Sequence, residues 1–491
     1  MVKSSLIQCL FKLSKKEIER FLLFVKSPYY NSNSHVKMLI KYFLLHFDNY
    51  DSKNFDKEII YKHVYSNNTF NYVQLRRLFS TTLSLLEEML ITEHRNENEL
   101  SNHLDLLNVL IAKKMDKRIG KAIQKVENIL SKPSNFIHSE DYYIKYKMID
   151  LLDEWYISQS DFSKPHLIQQ KVDALDIQYI IEKLYQSCEM LNREGKFAGR
   201  NEAMKYQYPF IEAIDQYVTK DAYFKNVISL NIYHKIYKSL VAANDEDNYF
   251  ELCNLVEKHI ELFDRADGAD IYVNLMNFAT RKINQGKTQF FSHIFKIQKE
   301  MLANGFLINN GIMPHLSYQN LVTTALGLKE YKWAKNFIQE YKTYLPESIK
   351  DNAYNYNLAV YCCETNDYEK AHDLLVNIEY NNLMYNLNAR AMLLRVFFET
   401  DEIIALEAHT SAFKVYLMRN KMINKDKYRR YYNLFRFTES LFKIKQHIPY
   451  KNKRVLKLKF DKLLKKIDES GRLPFKRWLY KQTATINDAI S

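Results

Sequence analysis

Hydrophobic positions recur along this chain with a period near 3.6, and no stretch alternates as a half-buried strand would. Ser14-Lys15-Lys16-Glu17 reads as a capping box, in which a hydroxyl and a carboxylate three residues apart satisfy each other's orphan amides. The helix that follows carries Ile18, Phe21, Leu22 and Val25 on one face, and Ser27-Pro28 ends it. Further helices are predicted near His35 to Phe47 and Asp56 to Tyr65. A longer one from Tyr72 to Thr92 buries Leu75, Leu78, Phe79, Thr82, Leu86, Met89 and Leu90. Glu93 to Asn102 is polar and reads as a linker or bend, which closes an N-terminal unit over residues 1–95.

Residues 104–269 predict long amphipathic helices of uneven length. Breaks fall near Lys132-Pro133, Lys164-Pro165, Gly195 to Gly199 and Asn244 to Asn248. Residues 270–412 show internal repetition. Tyr318, Leu321, Val322 and Ala325 mark a first helix; Tyr331, Ala334, Ile338 and Tyr341 mark a second, and Pro346 closes the unit. Asn355, Leu358, Ala359 and Cys362 repeat the first pattern 37 residues later, followed by Asn366-Asp367-Tyr368, Ala371, Leu375 and Ile378. Tyr272, Leu275, Met276 and Ala279 give the same template 46 residues upstream, and Leu393, Leu394 and Phe397 give a degenerate copy downstream. Ala334 and Ala371 are the small residues expected where helices cross closely.

The stretch from Asn355 to Ile378, with the run Asn366 to Ala371 reading NDYEKA, resembles a tetratricopeptide (TPR) repeat. The unit from Tyr318 to Pro346 is similar. The period of 37 departs from the usual 34, and Val322 and Ala359 stand where that family's first helix has glycine. The overall layout, with Phe24-Val25-Lys26-Ser27-Pro28-Tyr29 near its start, also resembles a set of uncharacterised helical-repeat proteins, which carries no activity with it. The expected fold is therefore all-α: a TPR-like superhelix of helical hairpins, with an N-terminal helical unit and a basic C-terminal helical cap over residues 413–491. For that resemblance the implied function is to hold a protein or peptide on a concave face of first helices. Gln319, Thr323, Tyr356, Val360 and Cys363 are the candidates for that face.

Composition supports helices. Only 9 glycines and 8 prolines occur in 491 residues, so hairpin turns and phosphate-cradling loops have little material. The five cysteines form no CxxC pair and read as reduced thiols. The apolar patch from Leu6 to Leu13 is broken by Gln8 and Lys12, and no window of about 18 uncharged apolar residues exists. The expectation is a soluble cytoplasmic protein without a membrane span. Charge is the uneven feature. Lys414 to Lys481 holds 22 basic against 5 acidic residues, while the remainder holds 49 basic against 53 acidic.

Motifs for common enzyme chemistry are missing, so no catalytic residue, cofactor or metal ligand is expected. Gly286-Lys287-Thr288 resembles the end of a phosphate-binding loop, but Arg281 stands where the earlier glycine belongs, and an inter-helix turn is expected instead. Functional residues are sought in the basic end. Tyr428, Tyr431, Tyr432 and Phe435 form an inward stripe, with Arg429, Arg430 and Arg436 elsewhere on the helix. Leu456, Phe460, Leu463, Leu464 and Ile467 form the next. Arg454, Lys459, Lys462, Lys465 and Lys466 then cover an outer arc that attracts nucleic-acid phosphates or an acidic protein, or serves only as a solvated cap. The pair of helices at 56–92 is an alternative nucleic-acid reader of helix-turn-helix type, with Gln74, Arg76 and Arg77 at the start of its second helix.

Overall fold

The computed structural model describes residues 4–47, 54–66, 69–133, 136–197, 206–220, 224, 226–242, 244–378, 383–420, 422–471 and 473–490. Among them the chain is all-helical, and the one pairing of extended backbone is a single bridge between Asn309 and Ile312. No helix among the described residues is long and apolar enough to cross a membrane. Two compact units form, Met1–Gln186 with Tyr208–Asn231, and Ser187–Gln207 with Ile232–Ser491.

The first unit opens with α1 (Ser5–Leu10), α2 (Lys15–Lys26), α3 (Ser34–Leu45), α4 (Lys57–Val64) and α5 (Tyr72–Glu97). The capping box is present: Glu17 Oε2 accepts from the Ser14 amide at 2.6 Å, and the Glu17 amide donates back to Ser14 Oγ. Helix α5 packs on α1, α2 and α3 over a core that includes Phe21, Leu39, Ile40 and Leu86. Two expectations shift here. Leu90 is exposed and Leu85 takes its place in the core, because the stripe precesses around so long a helix. The polar stretch after Thr92 stays helical to Glu97, since it contains no proline or glycine. Asn98 alone makes the break, accepting from the Ser101 amide to start α6 (Glu99–Ala112). Then α7 (Asp116–Leu130) and α8 (Ser139–Ser158) pack with α6 over a second core that includes Leu107, Ile119, Val126 and Met148.

Next come α9 (Leu167–Phe197), α10 (Ile211–Lys220) and α11 (Ile228–Val241). Helix α9 ends at Phe197, within the break expected at Gly195 to Gly199. Gly199 lies outside the described residues.

The second unit continues with α12 (Glu246–His259), α13 (Arg265–Asn284), α14 (Phe290–Ala303), α15 (His315–Gly327), α16 (Tyr331–Glu340) and α17 (Lys350–Glu364). It ends with α18 (Tyr368–Val376), α19 (Leu383–Glu399), α20 (Ile403–Arg419), α21 (Lys425–His447), α22 (Lys453–Glu469) and α23 (Lys476–Ile490). Each odd helix from α13 packs on the even helix after it, and α15, α17, α19, α21 and α23 also touch one another in succession.

One turn recurs in these hairpins. The residues after α13, α15, α17 and α19 adopt positive φ at Gly286 (92°), Lys329 (64°), Asn366 (62°) and Asp401 (57°). In each, the next amide donates back five residues: Lys287 to Lys282, Glu330 to Ala325, Asp367 to Cys362 and Glu402 to Phe397, all at 2.9–3.0 Å. This is the left-handed C-terminal cap that satisfies orphan carbonyls and reverses the chain. Gly286-Lys287-Thr288 is thus an inter-helix turn. The turns also set the register: Cys362 follows Ala325 by 37 residues and Phe397 follows Cys362 by 35, whereas Lys282 precedes Ala325 by 43. The spacing of 46 read from Tyr272, Leu275, Met276 and Ala279 is therefore three residues too long. A helical stripe looks alike when shifted by nearly one turn, and only the cap fixes its phase.

Ala334 and Ala371 are wholly buried at their crossings. Helix α19 is enclosed most completely, with twelve of its seventeen residues buried, Arg395 among them.

Candidate anion-binding groove

The α21–α22 hairpin concentrates the charge that the sequence places at this end. Asn424 caps α21 by accepting from the Lys427 amide, and Asn452 caps α22 by accepting from the Arg454 amide, each at 2.8 Å. Between them the turn carries Pro449. Residues equally far from that turn fall into two layers, Ile444 with Leu456 and Phe437 with Leu463, all four buried. The layers are seven residues apart on each helix, or about 10 Å at 1.5 Å per residue.

These layers floor a groove of about 420 Å³. Arg436, Lys443 and His447 line it from α21, Lys451 from the turn, and Lys459, Lys462 and Lys466 from α22; among the described residues no acidic side chain joins them. Helical geometry explains the gathering: 436, 443 and 447 share one face of α21, and 459, 462 and 466 share one face of α22.

The cations differ in how they are held. Lys443 donates to Glu439 at 2.8 Å and lies 3.7 Å from Glu407, and the hydrogen bond to Glu439 raises its pKa above the ordinary lysine value. Burial alone would raise the Glu439 carboxyl, but hydrogen bonds from Lys414 and Lys443 outweigh it and hold the pKa below the usual range. Arg436 lies over the Phe437 ring at 4.9 Å. Lys451, Lys459, Lys462 and Lys466 make no ion pair among the described residues.

Of the five basic residues expected on the outer arc, Lys459, Lys462 and Lys466 come together in this groove. Arg454 and Lys465 are exposed but lie outside its lining. Sequence reasoning missed Lys443, His447 and Lys451 and left Arg436 elsewhere on its helix. A helical wheel over α21 would have found the 436, 443 and 447 stripe.

The candidates for a concave face fare differently. Gln319 is half-buried, and Thr323 is exposed with its hydroxyl donating to the Gln319 carbonyl at 2.8 Å. Val360 is half-buried against the core. Tyr356 and Cys363 lie inside the protein, out of a partner's reach, because α19 packs across α17. The Tyr356 ring meets Tyr385 edge-on at 5.7 Å. Burial pushes the Cys363 thiol up to about 12, which leaves it inert. Its neighbour Cys362 is buried as well.

In the first unit, Arg76 and Lys57 line a smaller hollow beside Tyr72, while Gln74 accepts from the Tyr61 hydroxyl at 2.7 Å. Arg77 is exposed. No protein-family model, curated protein or solved structure matches this chain.

Proposed function

We propose that this protein is a non-enzymatic interaction scaffold of TPR-like build, with a protein or peptide as its partner. The observation that carries the reading is the hairpin series from α13 to α22, in which the odd helices from α15 onward touch in succession and one turn geometry recurs in the four hairpins from α13 to α20. Such stacking buries a continuous core while presenting an extended surface, the arrangement by which repeat proteins bind others. Of the residues expected on the concave face, Gln319, Thr323 and Val360 remain accessible or partly accessible. A photo-crosslinking side chain placed at Gln319, Thr323 or Val360 should yield a discrete protein adduct from native lysate. The same group at Lys370, on an even helix, should not. Adducts from neither surface, or equal adducts from both, would contradict the scaffold reading.

A second reading, association with nucleic acid, is favoured by Lys451, Lys459, Lys462 and Lys466 of the α21–α22 groove, which make no ion pair among the described residues. It predicts oligonucleotide binding that weakens steeply with salt, because each neutralised phosphate releases a condensed counterion. No retention of duplex or single-stranded DNA at low salt would exclude it.

A further inference from the structure

We infer that the α21–α22 groove docks an acidic peptide segment of a partner protein, one that carries two apolar side chains about 10 Å apart between its carboxylates. The inference rests on the scaffold reading and specifies its partner.

Three observations select this occupant. The first is charge complementarity. The lining gathers Arg436, Lys443, Lys451, Lys459, Lys462 and Lys466 with no carboxylate among them, and four of those lysines have no ion pair among the described residues. Like charges on facing rims repel, and an anionic segment laid between them relieves that repulsion while steering its own approach. The second is the floor. Ile444 with Leu456, and Phe437 with Leu463, make two apolar layers rather than a polar trough. What the layers leave open is the edge of Ile444 (7% exposed) and of Leu463 (8%), one in each layer, with the methylene stems of the lysines beside them. Apolar side chains of a peptide can pack there, and phosphodiesters have none to offer. The third is the aromatic inventory. Sequence-tolerant binding of single strands relies on rings open to stacking bases. Among the described residues the groove's rings are Phe437, which is 2% exposed and has Arg436 over it, and the half-buried imidazole of His447, whose Nδ1 lies against the Lys443 carbonyl.

The layer spacing narrows the ligand further. Apolar residues seven apart on an acidic helix reach both layers, whereas on an extended strand the same span falls at residues three apart, which point to opposite faces.

The test uses the full chain and four fluorescent probes in anisotropy titrations: a glutamate-rich 14-residue peptide with leucines seven apart, the same peptide with serines there, and single-stranded and duplex DNA oligonucleotides. Two variants lose equal charge, Lys459→Gln/Lys462→Gln/Lys466→Gln in the groove and Lys453→Gln/Arg454→Gln/Lys465→Gln outside its lining. The leucine peptide should bind the native chain roughly tenfold more tightly than the serine peptide, and the groove variant should lose about tenfold. The outer variant should lose less than about threefold, as a general field effect. Equal losses in both variants, indifference to leucine, tighter binding of either oligonucleotide, or binding by none of the probes would each overturn the inference. Crosslinks from Gln319, Thr323 and Val360 report on α15 and α17, so the scaffold reading fails or survives separately.

Discussion

Two places in the second unit gather positive charge and treat it in opposite ways. Around α19, Arg395 is 8% exposed and its charge is closed from within: Nη1 donates to Glu364 at 2.7 Å and Nη2 to the Cys363 carbonyl at 3.4 Å. Nearby Glu399 accepts from Trp478 Nε1 at 2.7 Å and from Gln482 at 2.8 Å, which ties α23 to α19. In the α21–α22 groove, Lys451, Lys459, Lys462 and Lys466 have no such closure among the described residues. Charge matched inside the fold serves the fold, since a buried ion left alone is strongly unfavourable. Charge left open at the surface costs little in stability and remains available to something else.

That contrast orders the expected effects. Packing at the close crossings should dominate. Ala371→Asp places a carboxylate at a position with no exposure, and thermal or urea unfolding should show a loss of about 3–5 kcal/mol. Lys370→Asp beside it is exposed and should change stability by less than about 0.5 kcal/mol. Equal losses would mean that α18 presents a different face.

Opening the closed charge comes next. Glu364→Gln leaves Arg395 buried beside a neutral partner. The loss should be about 2 kcal/mol, below the 3–5 kcal/mol of a fully buried pair because Glu364 is 37% exposed. A neutral outcome would show that Arg395 is satisfied without it.

The pH response should be smaller and of defined sign. Burial lowers the His409 pKa, and the Arg390 cation adds to this, while the hydrogen bond to the Arg390 carbonyl opposes both. Nε2 lies 2.8 Å from that carbonyl and must donate to it, so Nδ1 is where a second proton would go. With its folded value depressed, neutral His409 contributes stability that is complete above the unfolded imidazole value of about 6.5 and is lost as pH falls below it. Urea unfolding at pH 7.5 and 5.5 should show this decline in the native chain and a weaker one in His409→Gln. Identical declines would assign the pH response to other groups.

The smallest effect belongs to the open charge. Lys459→Gln/Lys462→Gln/Lys466→Gln should leave stability within about 0.5 kcal/mol, because these side chains are exposed and the Leu456, Phe460 and Leu463 stripe is untouched.

Helical periodicity made the all-α fold, the Ser14 capping box and the buried alanines legible in the sequence, because each is a local rule. What it hid depends on neighbours in space. Tyr356 and Cys363 looked available as members of a first helix, and only the packing of α19 across α17 buries them. The three-residue error in the upstream repeat arose because Tyr272, Leu275 and Ala279 satisfy a helical template in more than one phase. Lysines 459, 462 and 466 were legible as one face, but the groove needed Arg436 and Lys443 from the preceding helix, and that pairing is set by the hairpin.

The most direct test of the contrast between closed and open charge is ligand-induced stabilisation in three proteins: the native chain, Glu364→Gln and the groove triple variant. A ligand that binds only the folded state raises the melting temperature in proportion to ln(1 + [L]/Kd). With the leucine-bearing acidic peptide near 100 times its dissociation constant, the native chain and Glu364→Gln should both gain a few degrees. Glu364→Gln should start from a lower melting temperature, and the groove triple variant should start near the native value and gain only about half as much, because a tenfold weaker Kd cuts ln(1 + [L]/Kd) from about 4.6 to about 2.4. A triple variant that is stabilised as much as the native chain would contradict the account.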